Sequence, residues 1–354
     1  MNKLEQIREY MNRNDIDGVL LISPENVRWL SGFSGDSAQI LVTQNHQYFI
    51  TDCRYIEQAE REMGDTFRYI KAAHAERLRR IDKLLDKHGT KCLGIEKEVV
   101  TISLMQKYQE SWFMKYAYID EELKRLRSIK TPEELARMRE GAKITQAAFE
   151  HILDYVKEGV SEFDLLAELQ YFLNKQGTVP SFPPIIASGE NAALPHATVS
   201  HRKLQAGDLL TMDFGCIYQG ICTDFTRTIG ISGVEEELEM IYNIVKSANL
   251  AGLEAVRAGI GANEVDQVVR SVIQEAGYGA YFEHGTGHGV GVEIHEAPAI
   301  TAYSTDVLKE NMVITIEPGI YLPGKGGVRI EDMIAVTEEG YENFYTAAKD
   351  LIIK

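Results

Sequence analysis

The sequence predicts an α+β protein in two parts, a mixed α/β N-terminal domain over residues 1–125 and a larger C-terminal domain over 130–354 that contains an internal pseudo-twofold repeat. Three observations carry this. Helix-like and strand-like hydrophobic periods alternate through the first 125 residues. The segment Thr131-Pro132-Glu133-Glu134 then opens a long helix. Finally, Val156-Lys157-Glu158-Gly159-Val160, followed shortly by Glu162-Phe163-Asp164, is echoed by Val256-Arg257-Ala258-Gly259-Ile260, followed shortly by Glu264-Val265-Asp266. Each copy ends one helix and begins the next, and each precedes strand-like segments bearing two acids.

The bulk properties narrow the function. At 354 residues, 44% hydrophobic and 25% charged, the chain is long enough for two domains with their own cores. A formal net charge of −16 disfavours nucleic acid and anionic membrane surfaces as partners. Cys53, Cys92, Cys216 and Cys222 show no C-x-x-C spacing, so neither a disulfide framework nor a zinc knuckle is expected, and a reducing compartment fits. The first ten residues read as an amphipathic helix without an apolar signal region, and no window is long enough to span a membrane; the expected location is the cytoplasm.

In chain order, Leu4 to Asn14 reads as a helix and Gly18 to Ile22 as a short strand. Ala38 to Thr43 and Gln47 to Thr51 form a strand pair around Asn45-His46. Arg54 to Met63 and Arg77 to His88 read as helices, and a strand leads into Gly94 to Glu96. His46, His74 and His88 stand alone and are read as exposed side chains. Beyond the boundary, Thr131 is an N-cap, Pro132 suits the first helical position and Glu134 closes a capping box. That helix is expected to run toward Gly159, and the next to start at Ser161.

The chemistry gathers in Glu283 to Glu296, where His284, His288 and His295 lie among Gly285, Gly287, Gly289 and Gly291. The glycines are expected to allow backbone conformations closed to other residues, so that the imidazoles converge. In the first half, Leu209 to Cys216 and Ile221 to Ile229 read as strands joined near Tyr218-Gln219-Gly220. A hairpin centred between Tyr218 and Gln219 makes Asp213 and Asp224 direct partners, with Cβ atoms roughly 5 Å apart. Two such charges repel, so either a cation sits between them or one is protonated with a raised pKa. In the second half, Met312 to Glu317 and Val328 to Val336 are joined across Leu322 to Gly326, and centring that turn on Gly324 sets Glu317 opposite Glu331. Two carboxylate pairs from related halves, with a glycine-flanked histidine, argue for a binuclear metal centre. Four carboxylates and one imidazole favour hard or borderline divalent ions, so Mn²⁺ fits better than zinc in an all-sulfur site, and affinity order alone does not select the metal.

Three lookalikes fall away. Gly319 to Lys325 matches G-x-x-x-x-G-K, but Gly326 replaces the required Ser or Thr and Pro323 suits a hairpin. His295-Glu296 begins like a zincin helix, yet Ala299 stands where the second histidine belongs and Pro298 opposes the helix. Cys216 and Cys222, on strands either side of a hairpin, are read as packing.

At these residues the chain resembles the pita-bread metallopeptidases of the aminopeptidase P, prolidase and methionine aminopeptidase superfamily. Asn26-Val27-Arg28-Trp29-Leu30-Ser31-Gly32-Phe33 and Thr51-Asp52-Cys53-Arg54-Tyr55 resemble the creatinase/prolidase N-terminal domain. The resemblance implies two divalent metal ions, Mn²⁺ first, with Co²⁺ or Zn²⁺ as alternatives. Asp213 would hold one, Asp224 and Glu331 both, and His288 with Glu317 the other, with a water between them as nucleophile and Glu317 as its general base. His196 and His295 would contact the peptide and its tetrahedral intermediate, His284 would line a proline pocket, and Arg329 would orient the carboxylates. Ile221 stands where many relatives carry tyrosine, which leaves every ligand in place. The implied activity is cleavage of the Xaa-Pro bond, with dipeptides favoured and longer peptides, as for aminopeptidase P, the alternative. A non-catalytic peptide-binding module is the rival from another class; its mark would be a lost ligand. The implied partners are small peptides with proline second and a second copy of the chain.

Overall fold

Short apolar runs bounded by turn residues become the strands of a single sheet in the N-terminal part of the chain. The computed structural model describes residues 2–354, which divide into two compact units at the boundary between Arg127 and Ser128. The first contains, in order, α1 (Lys3–Arg13), β1 (Gly18–Leu21), α2 (Pro24–Ser31), β2 (Ala38–Thr43), β3 (Gln47–Thr51), α3 (Ile56–Met63), β4 (Arg68–Lys71), α4 (Arg77–His88), β5 (Cys92–Ile95), α5 (Ile102–Ser111), β6 (Lys115–Tyr118) and α6 (Asp120–Ser128). The sheet runs β4-β3-β2-β1-β5-β6, with β1 antiparallel to β2 and parallel to β5.

Polar residues lock the two N-terminal motifs into this frame. Ser23 caps α2, Pro24 sits in its first turn, and Gly32 ends it in the left-handed region at φ +78°. Glu96, 1% exposed past the end of β5, accepts from Ser23 Oγ at 2.7 Å and Asn26 Nδ2 at 2.6 Å. Asp52 accepts from Arg54 N at 3.0 Å and from Arg54 Nε and Nη2, both at 2.9 Å. That folds residues 52–55 into a turn, so α3 begins two residues later than the periodicity implies. His74 is exposed as expected, but His46 and His88 are not isolated. The β2–β3 turn meets the end of α4, where their rings lie 5.2 Å apart, half-buried, with Tyr48 OH 2.8 Å from His88 Nε2.

The second unit is built from two halves. The first contains α7 (Pro132–Ile152), α8 (Glu162–Lys175), β7 (Val179–Pro180), β8 (Ile185–Ser188), β9 (Leu209–Asp213), β10 (Cys216–Tyr218), β11 (Ile221–Cys222) and β12 (Thr226–Gly230). The second contains α9 (Glu236–Ala255), α10 (Ala262–Glu275), β13 (Gly287–Gly289), β14 (Glu296–Ile300), β15 (Val313–Ile316), β16 (Gly319–Leu322), β17 (Gly326–Arg329), β18 (Asp332–Val336) and β19 (Tyr341–Asn343). Thr131 and Glu134 form the capping box of α7, which ends at Ile152 in tight turns short of Gly159. The repeat is structural. Gly159 (φ +82°) and Gly259 (φ +90°) follow the first helix of each half, and their N–H groups donate to Leu204 O at 2.9 Å and Leu308 O at 2.8 Å. Each half has its own apolar core, one around Phe149, Leu169 and Phe225, the other around Ile241, Val269 and Ile314.

Both long hairpins are broken in the middle, where the acids lie. In the second, Leu322 pairs with Gly326, Gly319 with Arg329 and, beyond the break, Ile316 with Asp332. The register about Gly324 is thus the same on both sides, and Glu317 and Glu331 occupy facing positions in the gap. In the first, the expected register is wrong. Ile217 pairs with Cys222 and Asp213 with Thr226, not with Asp224. The turn centres one residue further on because Gln219 and Gly220 both take positive φ, +46° and +81°, as a primed two-residue hairpin turn requires. Moving the centre by one residue moves each partner by two, so Asp224 keeps its face.

A bridge between Thr226 and Glu331 joins the halves, and Thr228 Oγ1 accepts from Arg329 N at 3.1 Å and contacts Arg329 O at 3.0 Å. Gly319 to Lys325 lies in a hairpin, and His295-Glu296 leads into strand β14, so neither lookalike motif is present.

Candidate metal centre

Each interruption of a ladder frees side chains to point at the joint between the halves. Asp213 ends β9, Asp224 lies between β11 and β12, Glu317 between β15 and β16, Glu331 between β17 and β18, and His288 is the middle residue of β13. One ligand atom each from Asp224, His288 and Glu331 lie within 4.8 Å of one another. His288 Nε2 is 3.5 Å from Asp224 Oδ2 and 3.3 Å from Glu317 Oε1. Asp213 completes the acidic set from the other side, where Arg329 Nη2 donates to its Oδ2 at 2.5 Å.

The glycines around His288 serve space rather than conformation, which corrects the expectation from sequence. None of Gly285, Gly287, Gly289 and Gly291 has a positive φ. A Cβ on Gly287 would lie 2.0 Å from Thr315 O, and one on Gly289 2.3 Å from Ala297 O. Only glycine lets β13 fit between its neighbours, and that close approach carries His288 to the acids.

Electrostatics mark the centre as a place for cations. Burial, then repulsion from Asp213 and Glu317, pushes the Asp224 carboxyl well above its usual range. Burial, then Asp224, Glu317 and Asp213, does the same to Glu331. Glu317 is pushed up to about 7, chiefly by burial. Asp213 Oδ1 and Glu331 Oε1 are buried without a hydrogen-bond partner. Acceptor atoms left bare in the interior are costly for a protein and suited to a hard divalent ion, so the donor set fits the metal. His288 fits as well. Burial lowers its pKa, and Nδ1 lies 3.0 Å from Gly289 O, so the hydrogen-bond network assigns the proton there and leaves the Nε2 lone pair facing the carboxylates.

The remaining histidines are spent differently. His284 Nδ1 lies 2.8 Å from Gly285 O and Nε2 2.9 Å from Tyr321 OH, and burial brings its pKa down to about 4. It is neutral, and both nitrogens have partners. His295, exposed, stands edge-on to His288 with ring centroids 4.3 Å apart. The next residue, Glu296, accepts from Lys130 Nζ at 2.6 Å in a buried ion pair that anchors the start of β14. His196 is exposed on the turn after Gly189–Ala193, within electrostatic reach of Glu317, His284 and His295. Arg329, 3% exposed, donates to Tyr321 OH at 2.9 Å and Pro195 O at 3.3 Å besides Asp213.

Four supporting side chains escaped the sequence reading. Thr226 Oγ1 donates to Glu331 Oε2 at 2.6 Å, and Thr315 Oγ1 donates to Glu317 Oε1 at 3.2 Å while accepting from His288 N at 3.1 Å. Tyr345 OH donates to Asp224 O at 2.7 Å, and Tyr321 links Arg329 to His284. Spacing could have found the threonines, which stand two residues from Asp224 and Glu317 and so share their strand faces. Nothing local announces the tyrosines.

A duplicated α/β unit whose halves bring buried acids and a neutral imidazole to one point defines the class, a metal-dependent hydrolase. Residues 136–338 match the model of metallopeptidase family M24 and residues 3–129 that of the creatinase/prolidase N-terminal domain, and the chain belongs to that peptidase family. It is 36% identical over 352 residues to the Xaa-Pro dipeptidase of Pyrococcus furiosus, covering 99% of both chains. Its structure is similar to that of an Xaa-Pro dipeptidase from Bacillus anthracis, with TM-score 0.95, 40% identity and 99% of both chains covered. It is also similar to an X-Pro aminopeptidase from Thermotoga maritima, with TM-score 0.93, 32% identity and 100% of both chains covered. No helix among the described residues is long and apolar enough to cross a membrane.

Proposed function

We propose that the chain hydrolyses the Xaa-Pro bond at the N-terminus of dipeptides and short peptides, with dipeptides preferred, using two divalent cations held by Asp213, Asp224, His288, Glu317 and Glu331. The observation that carries this is the buried acceptor cluster, with bare oxygens on Asp213 and Glu331 beside a neutral His288, in a chain similar from end to end to Xaa-Pro dipeptidases. Asp213 would hold one ion and His288 with Glu317 the other, with Asp224 and Glu331 available to both. Mn²⁺ suits the oxygen-rich set, with Co²⁺ and Zn²⁺ as alternatives. When bound, the ions supply Lewis-acid polarisation of the scissile carbonyl and a more acidic water.

The chain's own groups do the rest. Glu317 takes the proton of the attacking water and passes it to the leaving proline nitrogen. His295 and His196, on the solvent side, donate to the oxyanion as it forms. His284 lines the proline pocket with an uncharged ring, held by the Arg329–Tyr321–His284 chain of hydrogen bonds. Arg329 also fixes Asp213, so the ligand shell and the pocket share one buried cation. Cleavage of longer Xaa-Pro peptides is the second reading, supported by the likeness to the T. maritima aminopeptidase.

Metal analysis with hydrolysis of Xaa-Pro dipeptides against Xaa-Pro-Yaa tripeptides tests the proposal. Chelation abolishes turnover, and Mn²⁺, Co²⁺ or Zn²⁺ restores it; full activity in protein shown to be metal-free refutes it. The reading places the enzyme in the cytoplasm, in keeping with four free cysteines. It also takes the active species as a homodimer, which sedimentation checks.

A further inference from the structure

The repeat contains two acids that the metal centre leaves unused. The second helix of each half begins with a pair of acids, Glu162 and Asp164 on α8, Glu264 and Asp266 on α10. In each pair one acid caps the helix. Asp164 accepts from Ser161 N at 3.0 Å and Oγ at 2.7 Å, and Glu264 accepts from Gly261 N at 3.1 Å. The other acid, Glu162 or Asp266, is 0% exposed. A carboxylate is stable in that position only if hydrogen bonds replace its water, so its donors reveal what it is for.

Glu162 ties together the segment that carries His196. Its Oε1 accepts from Ser188 N at 2.8 Å and Ser188 Oγ at 2.7 Å, and its Oε2 from Ser200 N at 2.9 Å and Ser200 Oγ at 2.7 Å. Asn191 Nδ2 reaches both oxygens, at 3.1 and 3.4 Å. One side chain thus fastens residues 188–200 at both ends and at Asn191.

Asp266 does the same for the segment that carries His284. Its Oδ1 accepts from Thr286 N at 3.2 Å and Thr286 Oγ1 at 2.8 Å, and its two oxygens take Arg270 Nη2 and Nε, each at 3.0 Å. Arg270 in turn donates to Phe282 O at 2.8 Å and His284 O at 2.9 Å. The backbone is therefore held at 282, 284 and 286.

Helix packing does not demand an acid at either position. With the caps Ser161 and Gly261 aligned, Glu162 corresponds to Ala262 and Asp266 to Leu166, so each half is apolar where the other is acidic. Each half places its acid where its own histidine-bearing segment passes. We propose that Glu162 and Asp266 are a pair of positioning residues, one per half, which hold His196 and His284 at their distances from the metal centre. The duplicated domain thereby repeats the anchors of its substrate-facing loops as well as its metal ligands. This rests on the reading of those two histidines as substrate-facing.

The test compares Glu162→Gln and Asp266→Asn in the zinc-loaded enzyme, with the milder Ser200→Ala and Thr286→Val, which each delete only a hydroxyl donor. Histidine-ring ¹H–¹⁵N spectra read position without turnover. Glu162→Gln and Ser200→Ala shift His196 and spare His284; Asp266→Asn and Thr286→Val do the reverse. In kinetics, Glu162→Gln lowers kcat by on the order of 10-fold to 10²-fold with KM little changed, as loss of transition-state alignment does. Asp266→Asn raises KM by on the order of 10-fold, as a displaced pocket wall does, and zinc stoichiometry stays at the wild-type value in both. The inference is overturned if either variant moves both histidines alike, or if melting temperature falls while ring positions, kcat and KM of the folded protein stay as in wild type. If the wild-type enzyme cleaves no Xaa-Pro substrate, the proposed function falls, and the spectra still decide for or against the anchors.

Discussion

Asp213 and Asp224 look interchangeable in the sequence, and neutralising either would be expected to relieve repulsion in the metal-free protein. The structure separates them. Asp224 makes no direct ion pair with a Lys or Arg among the described residues, and burial, Asp213 and Glu317 raise its pKa against the weaker pull of Arg329. An acid with a raised folded pKa keeps a proton that the unfolded chain has lost. Stability therefore falls as pH climbs above the ordinary carboxylate range, by up to about 1.4 kcal/mol per pH unit, until the folded value is passed. Asparagine removes that slope, so metal-free Asp224→Asn melts at or above wild type at pH 7. Asp213→Asn instead strips the carboxylate from Arg329, which is 3% exposed and paired at 2.5 Å. Breaking a buried pair from one side costs roughly 3–5 kcal/mol. The low end, about 3 kcal/mol, applies because Tyr321 OH and Pro195 O still accept from the guanidinium. For a domain of this size that is a fall of roughly 6–12 °C in Tm. Calorimetry of chelator-treated wild type, Asp213→Asn and Asp224→Asn at pH 7 measures both signs. Asp213→Asn melting at or above wild type, or both variants shifting alike, refutes the reasoning. Saturating Mn²⁺ reverses the ranking for Asp224→Asn, since each variant then forfeits stabilisation by metal.

Two further outcomes are expected. His295→Ala lowers kcat by on the order of 10²-fold with metal content unchanged and KM altered much less, as the proposed role of the exposed ring beside His288 as a donor to the transition state requires; steady-state kinetics with metal analysis on one preparation checks it, and a drop in bound metal would reassign the residue as a ligand. His284 carries a pH signature: its pKa drops from 6.5 to about 4 in the fold, so the unfolded chain binds the proton first and stability is lost as pH falls through that window, by about 3 kcal/mol in all. Metal-free His284→Gln lacks this loss, and denaturant titrations at pH 7, 5.5 and 4 show a gap between variant and wild type that closes toward acid.

The parts of the fold legible in sequence are those fixed by neighbours along the chain. The Thr131–Glu134 box, the strand pair Ala38–Thr43 and Gln47–Thr51, and helix Arg77–His88 stand where periodicity and capping put them. The turn about Gly324 was readable because Pro323 and Gly324 leave few alternatives. The turn about Gln219 was not, because it needs a non-glycine residue at φ +46°, a conformation that composition does not announce. The resulting error was even, so the face survived while the partner changed from Asp224 to Thr226. The ladder breaks that free the acids were invisible for a related reason. Each opens where two halves meet, and the bridge from Thr226 to Glu331 spans residues far apart in sequence.

The buried acids Glu162 and Asp266 carry the point furthest. Each has a sufficient local account within its own helix: Glu162 reads as a first-turn charge favoured by the helix dipole, and Asp266, one turn in, as the acid of an i,i+4 pair with Arg270. What sends each inward is the passage of a loop: Ser188 and Ser200 for Glu162, Thr286 for Asp266. Local chemistry cannot distinguish a cap from an anchor when both are acids at the start of a helix. The distinction appears only when the donors are counted, because an N-cap partner needs one or two nearby N–H groups, whereas an acid held at zero exposure must be supplied with all its donors by the fold.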